Sequence, residues 1–369
     1  MKTFPLALLC VALQIASPAR AAETPLRVIA EFPHRPTGVA VAADGRLFVC
    51  LPFSNYTDPS AFTASVVTLG PGREPEPYPD AAWNRIPSRH PDADPQTLFL
   101  NVQSLTLDDQ GTLWLLDRGR PLGGDLVPGG AKLVGVDTAT HAVTRVVVFP
   151  EPLAEGNFLN DVRVDAGRGV AYVTDTGNGG VIVVDLEAGA ARLALEPGFT
   201  SPAEPTPIVK GLAIGAKKRA SVPATADGLA LSPGGETLYL QDHPWVGRPL
   251  HAVPTAALRD ASLSPAEVAA ELRSLGPTVH SDGIQTDAQG RVHFTDYEHD
   301  ALTRRNQDGT LEVVAYNNRL SWPDAIAFGA DGTAYVPNAK FHQTYSGPGG
   351  SDASEPPFEL FAVPAPGQR

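Results

Sequence analysis

The sequence predicts an all-β protein, and within that class a six-bladed β-propeller with four-stranded antiparallel blades. Two observations carry the prediction. One pattern recurs six times along the 369 residues, and each copy reads as two short β-strands joined by a Gly-containing turn. A repeat of this kind indicates similar units arranged around one axis.

The pattern is clearest in SDGIQTDAQGRVHFTD, residues 281–296. A polar residue precedes an alternating apolar run, a turn follows, and a second apolar run ends in Asp. Alternation with a period of two is typical of a strand with one buried face. The other copies are TGVAVAADGRLFVC (37–50), VQSLTLDDQGTLWLLD (102–117), LNDVRVDAGRGVAYVTD (159–175), ADGLALSPGGETLYLQD (226–242) and PDAIAFGADGTAYVPN (323–338).

The fifth copy predicts a complete blade, with strands over 283–287, 291–296, 301–305 and 310–316. The two ends of the chain complete the ring in this prediction. Residues 26–32 precede the first hairpin and residues 358–363 follow the last, and both are strand-like. Their pairing would close the ring and leave no open sheet edge.

Three other stretches fit between the repeats. Gly- and Pro-rich residues 121–130 and 196–224 are predicted insertions, because the repeat resumes after each. Residues 264–276, SPAEVAAELRSLG, predict a helix. Ser264 is its N-cap, Glu267 completes a capping box, and Gly276 ends it.

The N-terminus predicts a signal peptide over residues 1–21. Its apolar run, residues 4–15, is too short to span a bilayer, and a small-x-small motif ends at Ala21. We expect cleavage after Ala21 and a secreted or periplasmic product. The mature chain, 22–369, would then be a single propeller domain.

Charge and cysteine content narrow the function classes. The formal net charge of −13 opposes binding to nucleic acid and to anionic membranes. We therefore expect a small-molecule ligand and a monomer. Cleavage removes Cys10 and leaves Cys50 as the sole thiol, at the end of an apolar run where it reads as a small buried hydrophobe.

The propeller geometry places one set of polar residues at one end of the channel. The first strand of every blade lines the channel, and all six run in the same direction. The residues that begin these strands therefore meet at one mouth: Thr37, Gln103, Asn160, Asp227, Asp282 and Asp324. Three carboxylates near one axis repel one another. The repulsion is relieved if a cation neutralises them, if a raised pKa keeps a carboxyl group protonated, or if water fills the channel. The sequence leaves these three alternatives open.

A second set lies at the ends of the second strands and in the loops that follow. Asp117 and Asp175 read mainly as turn chemistry, because Asp side chains bond nearby backbone amides. The remaining candidates at this mouth are His243, Trp245, Tyr297, His299, Trp322 and Asn338. No nucleophile-elbow, zincin or phosphate-loop motif is present in the sequence.

Several segments resemble the yellow/major royal jelly protein family, in order along nearly the whole mature chain. They are PYPDAAWN (77–84), NVQSLTLDDQGTLWLLDRG (101–119), FLNDVRVDAGRGVAYVTDTGNGGVIVVDL (158–186), HAVPTAALRD (251–260) and LSWPDAIAF (320–328). The resemblance implies a secreted six-bladed propeller, and either amine binding in the channel or a tautomerase acting on dopachrome-like compounds. The Ala- and Pro-rich, cysteine-poor composition suggests a bacterial member.

The repeats are also similar to propellers of the gluconolactonase/paraoxonase type. That resemblance implies a divalent cation, most readily calcium, held by Asn160, Asp227 and Asp282. The position that carries Glu in that group is Thr37 here. No organic cofactor is implied.

Three functions remain open from the sequence. The first is binding of a small aromatic or cationic molecule, with Gln103, Asp324, Trp245, Tyr297, Trp322 and Asn338 as ligand-binding residues. The second is an enzyme, a metal-dependent lactone hydrolase or a tautomerase, with Asp282 and His243 or His299 moving protons. The third is a structural or partner-binding propeller without a small-molecule site.

Overall fold

Six antiparallel sheets of four strands form the fold, so the predicted six-bladed propeller is confirmed. The structure is a computed structural model that describes residues 23–53, 62, 64–70, 72, 74–121, 124–196, 206–214, 226–242, 248–344 and 353–365. The predicted signal peptide, 1–21, lies outside these residues, as do the site candidates His243 and Trp245. None of the described helices has the length and hydrophobicity to cross a membrane.

The first three blades each use four consecutive strands. Their strands are, in blade A, β2 (Gly38–Val41), β3 (Leu47–Cys50), β4 (Val66–Leu69) and β5 (Glu76–Pro77); in blade B, β6 (Val102–Leu107), β7 (Thr112–Arg118), β8 (Ala131–Asp137) and β9 (Val143–Val148); in blade C, β10 (Leu159–Asp165), β11 (Val170–Asp175), β12 (Val181–Asp185) and β13 (Ala190–Leu195).

The next two blades follow the same order, and a two-stranded sheet precedes them. The strands are, in the small sheet, β14 (Ile208–Val209) and β15 (Leu212–Ala213); in blade D, β16 (Ala226–Leu231), β17 (Thr237–Asp242), β18 (Pro249–Pro254) and β19 (Arg273–Pro277); in blade E, β20 (Ser281–Thr286), β21 (Val292–Asp296), β22 (Ala301–Arg305) and β23 (Leu311–Tyr316). The boundaries of blade E lie within two residues of those predicted.

Blade F joins the two ends of the chain. It consists of β24 (Ala327–Phe328), β25 (Ala334–Asn338), β26 (Phe358–Val363) and β1 (Arg27–Phe32). Strands β1 and β26 are antiparallel, with Arg27 opposite Ala362 and Phe32 opposite Phe358. The predicted ring closure is confirmed.

An Asp-x-x-Gly turn closes the inner hairpin of blades B and E, at residues 108–111 and 287–290. In blade E, Asp287 accepts hydrogen bonds from the backbone N–H groups of Gln289 and Arg291, at 3.0 Å each. Gly290 has a φ of +72°, which L residues with a side chain rarely adopt. The positive φ explains why every inner turn of the repeat contains Gly, since the turns of all six blades have a Gly in this conformation.

The core lies between neighbouring blades. Cys50 is fully buried in the cluster shared by blades A and B, beside Val66 and Leu105, so its predicted place is confirmed. Burial raises the pKa of the Cys50 thiol to about 12, and the thiol is therefore unreactive.

The predicted helix over 264–276 is right at its start and wrong at its end. Helix α3, Pro265–Ala270, has Ser264 as N-cap and the capping box with Glu267. Residues from Arg273 onward form β19 because they supply the fourth strand of blade D. The other α-helices are α1 (Glu151–Ala154) and α2 (Thr255–Arg259), and 3-10 turns cover 87–89, 166–168 and 341–343.

The Asp residues at the ends of the second strands bind backbone amides, as predicted for Asp117 and Asp175. The Asp117 carboxylate accepts from the N–H groups of Leu100 and Asn101 at 2.8 and 2.9 Å, within its own blade. Its buried partner is Lys132, whose ammonium lies 2.7 Å away. Asp175 accepts from the Phe158 N–H at 2.9 Å in the same way.

The Lys132–Asp117 pair provides a test of the blade architecture. We expect Lys132→Met to lower the free energy of unfolding by about 3–5 kcal/mol, because it leaves a buried carboxylate without its cation. Urea denaturation measures this. Glu236→Gln, which breaks the exposed pair between Arg168 and Glu236, is the control and should change stability by about 0.5 kcal/mol or less. Equal effects of the two substitutions would contradict the prediction.

Candidate functional site

The candidate site is a small cavity at one mouth of the channel. Its volume is about 10 Å³, close to the space that one water or one bare ion needs. The residues that line it come from blades A, B, C, E and F: Thr37, Gln103, Asn160, Asp161, Asp282, Gly283 and Asp324. Five of the six predicted strand-start residues therefore lie together, and Asp227 joins them through a hydrogen bond with Asn160.

Asp161 belongs to this site and was missed by the sequence reasoning. In strict alternation, Asn160 and Asp161 point to opposite faces of a strand. The pairing of β10 with β11 is irregular between Leu159 and Val162, so both residues lie in a β-bulge. The bulge lets neighbouring side chains enter the channel together. The adjacent pair of polar residues was the only signal in the sequence.

The same irregularity recurs in three other inner strands. It lies between Val102 and Ser104 in blade B, between Ala226 and Leu229 in blade D, and between Ser281 and Ile284 in blade E. Each bulge contains one of the predicted residues Gln103, Asp227 and Asp282. Bulges at this end of the sheet thus re-aim the side chains that form the mouth.

Four carboxylates, Asp161, Asp227, Asp282 and Asp324, form what we call the acidic cluster. Asp161 is the best compensated of them. Ser104 Oγ donates to it at 2.8 Å, and the Arg163 guanidinium lies 3.7 Å from its Oδ2. Arg163 also donates to the carbonyl of Ile284 across the channel, so it joins blades C and E below the cavity.

The other three members of the acidic cluster hold their protons unusually tightly. Burial, and then the neighbouring charge of Asp161, raises the pKa of Asp282 to about 7, even though Trp322 Nε1 donates to Oδ2 of that carboxylate at 2.5 Å. Burial and the charge of Asp282 also raise the pKa values of Asp227 and Asp324 well above 3.8. Oδ2 of Asp324 is buried without a hydrogen-bond partner. Negative charge in the acidic cluster is therefore costly and poorly neutralised by the protein.

The donor chemistry of the mouth fits a hard cation. Six of the seven residues that line the cavity, all except Gly283, have a side-chain oxygen atom, which calcium prefers. The orphaned oxygen of Asp324 is a ready ligand. As they stand, however, no three His, Cys, Asp or Glu side chains of the described residues meet at metal-binding distances. A bound cation would have to draw the carboxylates closer together.

A row of hydrogen bonds crosses from blade B to blade D at the mouth. Arg118 donates to Gln103 Oε1 at 3.2 Å, and Gln103 Nε2 donates to Asn160 Oδ1 at 3.2 Å. Asn160 Nδ2 then donates to Asp227 Oδ1, and Thr176 Oγ1 donates to the same oxygen at 2.7 Å. The row links a buried guanidinium to the acidic cluster through two amides.

The predicted aromatic residues Tyr297 and Trp322 are buried rather than open to a ligand. Their rings stack at 4.1 Å and 4°, and neither side chain is more than 2% exposed. Val209 and Ile214, in and beside the β14–β15 hairpin, pack against them. Trp322 has a φ of +60°, a strained conformation for so large a residue. The hairpin therefore covers the aromatic side of the mouth.

Two further candidates lie outside the cavity. The Asn338 amide donates to the Arg319 carbonyl at 3.1 Å. His299 Nδ1 lies 2.7 Å from Asp296 Oδ1, its side chain is 66% exposed, and the hydrogen bond with Asp296 raises its pKa. Neither residue lines the cavity. The proton-transfer role of His299 stays a prediction.

Comparison with known proteins gives a family match and a set of structural neighbours. The model of the family described as "Major royal jelly protein" matches residues 100–345. No curated protein sequence matches the chain. Similar solved structures include regucalcin, a calcium-binding protein from Agrobacterium tumefaciens, at 16% identity with 93% of this chain and 94% of that chain covered and a TM-score of 0.55.

Two other solved structures are similar over almost the same length. A luciferin-regenerating enzyme is 13% identical, with 93% of this chain and 96% of that chain covered and a TM-score of 0.55. A putative gluconolactonase is 14% identical, with 95% and 96% covered and a TM-score of 0.53. At these identities the likeness concerns the fold alone, and it agrees with the six-bladed architecture.

The raised pKa of Asp282 predicts how stability depends on pH. Between 3.8, the ordinary Asp pKa, and about 7, the folded protein retains a proton that the unfolded chain has released. The free energy of unfolding should therefore fall as pH rises through this window. Denaturation in urea with EGTA present measures the slope. We expect Asp282→Asn to make the slope shallower and to raise the melting temperature at pH 8 by on the order of 5 °C.

Asp92→Asn is the matched control, because Asp92 is exposed and remote from the cluster. It should keep the wild-type slope. Identical slopes for wild type and Asp282→Asn would contradict the prediction.

Proposed function

The chain belongs to the major royal jelly protein family, and we propose that this member is an exported, monomeric propeller that binds a hard divalent cation, calcium above others, at the mouth of its channel. The observation that carries the proposal is the acidic cluster. Asp227 and Asp324 are buried, Asp161 and Asp282 are half-buried, and all four lie in or beside a cavity of one-ion size. Among the ion pairs of the described residues, only the one between Arg163 and Asp161 involves a member of the cluster.

The ligands we propose are Asn160, Asp227, Asp282 and Asp324. Carboxylate and amide oxygens are the usual calcium ligands, and water completes a coordination number of six to eight. A bound cation would neutralise the acidic cluster and favour its ionised form. Regucalcin, which is described as a calcium-binding protein, shares this fold, and this supports calcium as the cation.

Thr37 limits how far the proposal extends toward catalysis. Its hydroxyl donates to the Gln103 carbonyl at 2.7 Å, and it stands where the lactonase resemblance implies Glu. A neutral hydroxyl adds no charge to the site, so the cation should bind more weakly than in a site with a fourth acidic ligand. The proposal is therefore binding rather than lactone hydrolysis.

Calcium titration tests this proposal. At a concentration one hundred times its Kd, calcium should stabilise the protein by about 2.7 kcal/mol and raise the melting temperature by on the order of 5 °C at pH 7.5. Asp227→Asn and Asp282→Asn should reduce this rise to less than about half, because each removes a charged ligand. Scanning calorimetry with calcium chloride, and with EGTA as the blank, provides the measurement.

The control is again Asp92→Asn, which should retain the full response. The proposal is wrong if calcium leaves the melting temperature of the wild type unchanged, or if Asp92→Asn weakens the response as much as the cluster variants do.

A second candidate is an aromatic amine bound on the same side of the mouth. The supporting observation is the Tyr297–Trp322 stack, which lies beside Asp282 and offers a ring face next to a carboxylate. The cavity is too small for such a molecule, so the β14–β15 hairpin would have to move aside.

Tyramine is a suitable probe for this second candidate. If the site accepts aromatic amines, tyramine should raise the melting temperature, and Trp322→Leu should abolish the rise while leaving the calcium response above half of wild type. Phenol, which lacks the ammonium group, should have no effect. A calcium response without any tyramine response would leave the cation as the sole ligand we propose.

A further inference from the structure

We infer that Arg118, which does not touch the acidic cluster, is a positioning residue. It sets the direction of the hydrogen bonds that run from Gln103 to Asn160 and on to Asp227. In this way it fixes which atom of the Asn160 side chain faces the cation. The inference rests on the proposed function for its ligand. The row of hydrogen bonds itself is present without any cation.

The reason lies in what each group is able to do. A side-chain amide has a donor end and an acceptor end, and it accepts either orientation unless a neighbour decides. A guanidinium only donates. Because Arg118 donates to Gln103, the Gln103 oxygen must face Arg118 and its NH₂ group must face Asn160. The Asn160 oxygen then faces Gln103, and its NH₂ group faces Asp227.

Arg118 is well held for this role. Its guanidinium lies 3.5 Å from the centroid of the Phe158 ring, and only 3% of the residue is exposed. Its Nε is buried without a partner, so the bond to Gln103 is the main polar contact of the guanidinium. In the part of the chain that the structure describes, no other side chain bonds the Gln103 amide on that side. Thr37 donates to the Gln103 backbone carbonyl instead.

This direction leaves the right atoms free for a cation. The Asn160 oxygen accepts one hydrogen bond and keeps its second lone pair. Asp227 Oδ1 accepts from both Asn160 and Thr176, and no hydrogen bond from the described residues reaches Asp227 Oδ2. With the opposite direction, the Asn160 oxygen would face the Asp227 carboxylate, and the two acceptors would repel each other. Either Asn160 or Asp227 would then turn away.

Charge alone predicts the opposite effect of removing Arg118, which makes the test sharp. Deleting a cation near a calcium site should tighten calcium binding. Loss of a positioning residue should weaken it, by about tenfold or more for an outer-shell partner. The sign of the change therefore separates the two explanations.

Isothermal titration with calcium chloride compares three variants. We expect Arg118→Met to bind calcium about tenfold more weakly. We expect Arg118→Lys, which keeps a cationic donor, to bind within about threefold of wild type. Arg120→Met is the matched control, because Arg120 lies two residues away and, within the described residues, its side chain bonds only the Ala154 carbonyl. It should bind calcium as tightly as wild type or more tightly. A folded Arg118→Met protein with unchanged or tighter binding would overturn the inference.

A second variant protects the test against misfolding of Arg118→Met. Gln103→Met cuts the row of hydrogen bonds while keeping Arg118, and it should weaken calcium binding to the same extent. The double variant should be no weaker than either single variant, because both act through one path. Additive losses would mean that Arg118 acts independently of Gln103, and would overturn the inference.

A metal-free measurement separates this inference from the proposed function. In ¹⁵N-labelled protein with EGTA, the side-chain amide signal of Asn160, assigned by its loss in Asn160→Asp, should carry one downfield proton from its hydrogen bond to the Asp227 carboxylate. Arg118→Met should shift that proton upfield, whereas Arg118→Lys and Arg120→Met should not. If the signal moves as expected and wild type does not bind calcium, the cation proposal fails and the positioning role stands. An Asn160 signal that is the same in all variants would overturn the inference whether or not calcium binds.

Discussion

The mutual repulsion of carboxylates around one axis is the constraint on which the mouth of this propeller depends. Six strands that run in the same direction bring their first residues to one point, and the sequence places Asp or an amide-bearing residue at five of those positions. The structure relieves the repulsion only in part, through Arg163, Trp322 and Thr176. The pocket is therefore strongly polarised. Blades B and C contribute two neutral amides and the guanidinium that bonds one of them, whereas blades D, E and F contribute carboxylates whose charge is poorly compensated.

The architecture was readable from the sequence because it depends on local rules repeated six times. Alternation predicted the strands, the Gly-containing turns predicted the hairpins, and the two strand-like end segments predicted the closing blade. The end of helix α3 was not predictable in this way. Residues 273–275 continue the helical pattern up to Gly276, but the blade needs a fourth strand there, and tertiary pairing overrides local propensity.

The site was readable only in part, for three physical reasons. Asp161 was missed because the bulge in β10 breaks the alternation that the prediction used. Tyr297 and Trp322 were expected to face a ligand, but burial of large rings under a hairpin cannot be seen in a repeat pattern. Arg118 carries no signal of its own in the sequence, since its effect passes through Gln103 to a residue in another blade. Contacts between blades are long-range in sequence and leave no local periodic signal.

The closing of blade F by β1 and β26 also bears on how the protein is made. Three strands of that blade come from the last part of the chain, and the fourth comes from its beginning. During synthesis, five blades are able to pair internally as they emerge, whereas β1 must wait for Phe358–Val363 before it has a partner. The ring therefore closes only after residues Phe358–Val363 have been synthesised. Because Arg27 lies opposite Ala362, the start of β1 and the end of β26 are neighbours in space. A short linker joining these two strands would suit circular permutation with new termini in a surface turn of another blade.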